Sequence, residues 1–303
     1  MDKKLSSYAG WLVYIPMLFM SVFYLLTSGF LQEGGGTGAI ICVAVCIFEA
    51  FFGTKLAANF YRPLRAQVRK RPFWAARVYI PFIVWVSLSC ALFVVFLNIL
   101  TSIFAGTPFW GLTGFYPMLM ENVTTHPAAS FFLLVLMPAV LEEVLLRGTV
   151  YPLCEREGTA AAVFFSALVM PLMYVYPQAA MAGLVIGGVG AVAGYMTDAL
   201  CAAVAVHLAC RTALWIGDFA AASEVFMEYA GIFVCILLFS FFICVYQSLR
   251  NYEGLLRDEL LHPAKPGAAD ATVNLRHLFL TAGFGLFAAT FIIRFISMIV
   301  SYL

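Results

Sequence analysis

Two adjacent glutamates and an arginine stand in VLEEVLLRG, residues 140–148, where all other residues are apolar or glycine. On a helix, Glu143 and Arg147 are one turn apart and can form an ion pair, whereas Glu142 is turned about 140° away from Arg147. A carboxylate kept away from water can serve as a general acid or base near neutral pH. Glu142 is therefore the candidate for chemistry. The alternative is that all three residues only anchor a helix end at the membrane surface.

A histidine and an arginine form the second polar pair, His207 and Arg211 in CAAVAVHLACRTALW. Their four-residue spacing puts both on one helical face. A single histidine in a span is commonly a packing residue, but beside intramembrane glutamates we expect these groups to share a cavity. A catalytic zinc site normally has three protein ligands. Because Glu142 and His207 have no second intramembrane histidine beside them, we expect neither a metal nor another cofactor.

Helices that cross a membrane must position these groups. Of the 303 residues, 63% are hydrophobic and 11% are charged, whereas soluble domains contain about 25% charged residues. The net charge of +1 gives no reason to expect a nucleic-acid partner. Apolar runs of about 20 residues are long enough to span a bilayer. We predict an all-α, polytopic transmembrane helical bundle, with candidate spans at residues 8–30, 38–59, 78–104, 129–150, 159–176, 179–197, 199–217, 222–248 and 277–302.

The distribution of lysine and arginine predicts the orientation of the chain. These residues crowd the loop at 60–77, and cytoplasmic loops are enriched in them. Acidic residues such as Glu33 and Glu121 fall in the opposite loops. We therefore expect an integral protein of a bacterial plasma membrane with a cytoplasmic N-terminus. We divide it into N-terminal helices at 1–128, a core at 129–218, and C-terminal helices at 219–303 that contain a cytoplasmic linker at 249–276.

The motif LEEVLLRGTVY resembles the first motif, EExxxR, of the CPBP family, which includes type II CAAX prenyl endopeptidases and bacteriocin-processing and self-immunity membrane proteins. The similarity covers residues 129–218. The resemblance implies that four helices enclose a polar cavity and that Glu142 activates a water molecule for peptide hydrolysis. It assigns Glu143 and Arg147 to a structural pair, and His207 to polarising the carbonyl or holding the oxyanion.

Three positions depart from the family's later motifs. In SALVMPLMYVYPQ, Met170 and Tyr174 stand where the family has phenylalanine and histidine, and Arg211 stands where it has asparagine or aspartate. A tyrosine can assist an oxyanion but is a poor proton shuttle at neutral pH. An arginine beside Glu142 stabilises its charge and weakens it as a base. We therefore expect the family's fold with reduced or absent proteolysis.

Three functions follow from these observations. The first is an intramembrane glutamate-type protease that acts on a membrane-embedded or lipidated protein. The second is a non-catalytic scaffold, immunity or regulatory protein with the same fold and the same kind of partner. The third is a transporter, which buried charges and glycine-lined helices such as AGLVIGGVGAVAG also suit, but the chain shows no internal repeat that supports it. In all three cases the chain contacts membrane lipids.

Overall fold

A computed structural model describes residues 9–15, 72–105, 127–155, 158–174, 177–221, 223, 228–258 and 279–302. Helices form almost all of this part of the chain, and it contains no strand. The predicted all-α membrane bundle is confirmed. Most of the expected span at 8–30, all of the span at 38–59, most of the basic loop at 60–77 and most of the cytoplasmic linker at 249–276 lie outside the described residues.

The helices are named in chain order. A short 3-10 turn, Arg77–Tyr79, leads into the first long helix. We use the names α1 for Ile80–Ala105, α2 for the helical segment 127–154, α3 for Thr159–Met173, α4 for Pro177–Thr197, α5 for Leu200–Ala221, α6 for Ala230–Arg257 and α7 for Ala282–Tyr302. Within the described residues, four stretches are long and apolar enough to cross a membrane, at Arg77–Ile103, Ala179–Thr197, Leu200–Ala221 and Gly231–Arg257. The chain is an integral membrane protein.

Five helices end at other residues than predicted: α1, α2 and α5 run one to four residues further, and the other two are α3 and α6. The prediction of a span to residue 176 is wrong, because α3 ends at Met173 and Tyr174 is extended, with φ −99° and ψ 134°. Pro171 inside α3 weakens its last turn, since proline removes a helical hydrogen bond. Helix α6 runs to Arg257 and so includes residues expected in the linker. Packing of Tyr252 on Phe82 stabilises its last turns, and the exposed Glu253–Arg257 pair adds little.

Helix α2 is not regular. Its central α-helical part, Met137–Leu145, lies between two π-helical stretches, Phe131–Leu136 and Leu146–Val150. Pro138 has no N–H group, so the carbonyl four residues before it, that of Leu134, lacks its usual α-helical donor. Single π turns interrupting an α-helix occur frequently at functional sites. The charged motif therefore lies on the most irregular helix that the structure describes.

The bundle packs around α1, α4 and α5. Helix α5 contacts α1, α4 and α2, and α3 lies against α4 along its length. Helix α6 packs on α1 by one side, and its other side exposes apolar side chains such as Phe239 and Phe242. We infer that this side contacts lipid, because lipid tails are as apolar as the protein interior and apolar side chains gain nothing by turning inward. The third expected span, α1, is thus part of the core, for which the sequence predicted four other helices.

Candidate functional site

Six ionisable or polar side chains meet inside the bundle, and none is more than 9% exposed. Helix α2 supplies both glutamates and the first arginine, α5 supplies the histidine and the second arginine, and the tyrosine follows the last residue of α3. The structure brings together all the residues that the sequence singled out. We call them the charged cluster: Glu142, Glu143, Arg147, Tyr174, His207 and Arg211.

Glu143 and Arg147 form the expected pair one helical turn long, with Arg147 Nη1 3.2 Å from Glu143 Oε1 and 3.1 Å from Oε2. Arg147 also reaches two neighbouring helices. Its Nη2 donates to the carbonyl oxygen of Gly187 on α4 at 2.6 Å, and its Nη1 lies 3.7 Å from the sulfur of Met170 on α3. Arg147 therefore joins α2 to both of these helices.

His207 has a protein partner at each ring nitrogen. Its Nδ1 lies 3.0 Å from Glu143 Oε1, and its Nε2 accepts a hydrogen bond from Arg211 Nε at 2.8 Å. Because an arginine can only donate, Nε2 must carry no proton and Nδ1 must be the donor. This network fixes the neutral Nδ1–H tautomer. Glu143 thus pairs with Arg147 and also orients the histidine, a second contact that the sequence did not predict.

Arg211 lies at the centre of the cluster. Its Nη2 donates to Glu142 Oε1 at 2.9 Å and to Tyr174 Oη at 2.7 Å, and its Nη1 donates to the carbonyl of Leu134 at 2.9 Å. The Tyr174 hydroxyl in turn donates to the other oxygen of Glu142, Oε2, at 2.5 Å. Both carboxylate oxygens of Glu142 are thus engaged by groups of the protein itself.

The cluster balances its own charge. Two carboxylates face two guanidinium groups, and the histidine tautomer and the tyrosine are uncharged. Burying an ion pair is costly unless its remaining donors and acceptors are also satisfied. The carbonyls of Leu134 and Gly187 satisfy part of this need, whereas Arg147 Nε and Glu143 Oε2 have no hydrogen-bond partner among the described residues. Arg147 lies seven residues before the end of α2, about 10 Å at 1.5 Å per residue. This placement argues against an anchor at the helix end.

Sequence reasoning missed the partners that are not polar side chains. The acceptors at Leu134, Gly187 and Met170 are two backbone carbonyls and a thioether. Pro138 was the available signal for one of them, because a proline in a helix frees the carbonyl four residues earlier. Among the described residues, no group of three or more histidine, cysteine or acidic side chains is placed to hold a metal ion.

The matching segment of the chain contains this whole cluster. Residues 124–213 match the family model Rce1-like, described as type II CAAX prenyl endopeptidase Rce1-like. This segment is Rce1-like. The resemblance drawn from the EExxxR motif is confirmed. The Rce1-like segment extends from the start of α2 into α5, and helices α1, α6 and α7 lie outside it. No curated protein and no solved structure matches the chain.

Proposed function

We propose that this CAAX-protease-type membrane protein does not hydrolyse peptides and acts as a non-catalytic scaffold, immunity or regulatory protein. Its partner would be a membrane-embedded or lipidated protein, the class of substrate that the family suggests. The observation that carries the proposal is the position of Arg211. Its guanidinium group bonds at once to Glu142, Tyr174 and His207, the three groups that hydrolysis would use.

Peptide hydrolysis by a glutamate needs three free functions. A carboxylate oxygen must take a proton from water, a donor must stabilise the oxyanion, and an acid must protonate the leaving amine. Here Arg211 and Tyr174 occupy the two oxygens of Glu142. The acceptor nitrogen of His207 is bound to Arg211, and its other nitrogen faces Glu143. The cluster is therefore arranged to hold helices together rather than to bind water and a carbonyl group.

Cleavage by purified protein in nanodiscs tests the proposal. We expect wild type and Glu142→Gln to give the same background when mixed with a membrane-anchored peptide library, read by mass spectrometry. The charge-balanced double variant Glu142→Gln with Arg211→Gln covers the case in which the single variant folds poorly. Glu253→Gln is the matched control, because Glu253 also pairs with an arginine four residues on but is exposed.

A second candidate is a peptidase with low activity, and the match of the Rce1-like segment favours it. The same assay separates the two functions. Loss of a general base costs about 10²–10⁴-fold in rate. Cleavage by wild type that falls by such a factor in Glu142→Gln, but persists in Glu253→Gln, would establish the peptidase and reject the non-catalytic role.

A further inference from the structure

A pocket separate from the charged cluster opens between the start of α1 and the end of α6. Its volume is about 460 Å³, within the range of about 300–1,000 Å³ that is usual for small-molecule sites. Helix α1 contributes aromatic side chains to its wall, and α6 contributes mostly polar ones. The residues that define its chemistry are Phe82, Trp85, Gln247, Arg250, Asn251 and Asp258.

The polar wall of this pocket follows one side of α6. Gln247, Asn251, Gly254 and Asp258 are three or four residues apart, the spacing of neighbours on a helix surface. A side chain added at Gly254 would meet no atom within 4 Å. In the part of the chain that the structure describes, no hydrogen bond or ion pair engages the side chains of Arg250 or Asp258. Within the described residues, the pocket thus presents one cation and one anion whose side chains have no ion-pair or hydrogen-bond partner.

The stability of α6 does not explain the carboxylate of Asp258. Asp258 is the C-cap residue of α6, where the helix dipole favours cations and disfavours carboxylates. The neighbouring charges Glu253 and Arg257 pair with each other one turn away and need nothing from Asp258. A carboxylate at this position is better explained by a cationic group that binds in the pocket.

The pocket lies where the helices leave the hydrocarbon. Trp74, 77% exposed, and Phe73 precede α1, and such aromatic residues are enriched at the headgroup level. In α6 the apolar run ends at Tyr246, and Gln247 begins the polar part. By the distribution of lysine and arginine this is the cytoplasmic end. The molecules present there at high concentration are phospholipids.

We propose that this pocket binds the headgroup of a phospholipid that carries a primary ammonium group. Arg250 binds the phosphate, since guanidinium groups suit phosphate oxygens. Asp258 accepts hydrogen bonds from the ammonium group. The Trp85 ring lies beside the ammonium group and adds a cation–π contact. A purely anionic headgroup would satisfy Arg250 but would be repelled by Asp258. The proposal does not depend on whether the charged cluster hydrolyses peptides.

Lipid retention tests this site. The full chain is reconstituted in nanodiscs that hold equal amounts of phosphatidylethanolamine, phosphatidylcholine and phosphatidylglycerol, then extracted in mild detergent, and bound lipid is counted by mass spectrometry. We expect phosphatidylethanolamine to be enriched at least about tenfold over the other two, the effect of one hydrogen bond to a charged group. Arg250→Ala and Asp258→Asn should each return the ratio to that of the nanodisc.

Two further variants make the test specific. Gly254→Leu fills the pocket without changing charge and should abolish the enrichment. Arg257→Ala removes an exposed arginine of the same helix and should leave it unchanged. Equal retention of the three lipids, enrichment of phosphatidylglycerol, or an equal loss in Arg257→Ala would overturn the proposal.

A competition arm separates a lipid headgroup from free phosphate. Glycerophosphoethanolamine should displace bound phosphatidylethanolamine, and inorganic phosphate should do so much less well, because it offers nothing to Asp258. If both compete equally, the pocket is a phosphate site and the assignment of the headgroup is wrong.

Discussion

At the scale of single residues, Arg211 decides how the charged cluster is to be understood. It has 0% exposure, and all its assigned partners are in the protein. A cation in such a place is stable only if its acceptors remain. If the Arg211 guanidinium is removed, the Glu142 carboxylate stays buried with no cation to balance its charge. The cluster therefore behaves as a unit, in which single changes cost more than balanced ones.

This coupling gives a prediction for stability. Arg211→Met should lower the free energy of unfolding by about 3–5 kcal/mol, because it leaves the Glu142 carboxylate buried without its cation. Adding Glu142→Gln should recover part of that loss, since the unpaired charge is then gone. Reversible unfolding in mixed micelles measures both variants.

The control for this cycle is an exposed ion pair in the same protein. Arg257→Met breaks the pair with Glu253, which is largely in solvent, and should cost less than about 1 kcal/mol. If the double variant at the cluster were as unstable as the sum of its two single variants, the two charges would be energetically independent.

At the scale of elements, two prolines shape the site through the hydrogen bonds they remove. Pro171 leaves the Ala167 carbonyl without its helical donor, as Pro138 does for Leu134. A Cβ atom at Gly187 would lie 2.7 Å from the Ala167 oxygen, so an α-hydrogen of Gly187 points at this carbonyl. Such Cα–H contacts to oxygen are common where helices approach closely. The glycine permits this close approach of α4 to α3, and its backbone carbonyl is the one that Arg147 binds.

Substitutions at two adjacent glycines of α4 test the close approach of α4 to α3. Gly187→Ala should destabilise the protein by about 1–3 kcal/mol, because the new methyl group meets backbone that cannot move without shifting α3. Gly188→Ala is the matched control, since a Cβ there has nothing within 4 Å. It should be neutral or slightly stabilising, because alanine favours helix over glycine. Equal effects of the two changes in thermal unfolding would contradict this account of the packing.

The sequence predicted the helices better than the contacts between them. Apolar runs indicated the helices, and the four-residue spacing placed Glu143 with Arg147 and His207 with Arg211, because both relations lie within one helix. The contacts between Arg211 and Glu142 and between His207 and Glu143 depend on how α2 and α5 pack. The two π-helical stretches determine which side of α2 faces its neighbours, and the composition of α2 gives no clear signal of them. Local spacing therefore predicted pairs, and tertiary packing made the network.

At the scale of the whole molecule, the chain is a membrane bundle with an Rce1-like segment in its middle and helices on either side. The helices outside the match still contribute to the core, since α1 packs against α5 and α6. Orientation of this bundle stays a prediction from the loops. It assigns the basic loop at 60–77 and the segment after α6 to the cytoplasm.

Reporter fusions test the orientation. With nine spans and a cytoplasmic N-terminus, the C-terminus must lie on the outer side of the membrane. In a bacterial host, alkaline phosphatase fused after residue 303 should be active, because it folds only outside the cytoplasm. Fused in the segment after α6, near residue 265, it should be inactive. An inactive C-terminal fusion with an active internal one would reverse the predicted topology.

The early end of α3 has a consequence for the surrounding bilayer. Its 15 residues span about 22 Å at 1.5 Å per residue, whereas the hydrocarbon layer is about 30 Å thick. Mismatch of this kind costs a fraction of a kcal/mol per Å and is relieved by thinning the lipid layer. Lipids beside Phe164, which is 51% exposed on this helix, must compress or tilt. We therefore expect thinning to be local to the α3 side, since α1 and α6, with 26 and 28 residues, are long enough to cross a layer of ordinary thickness.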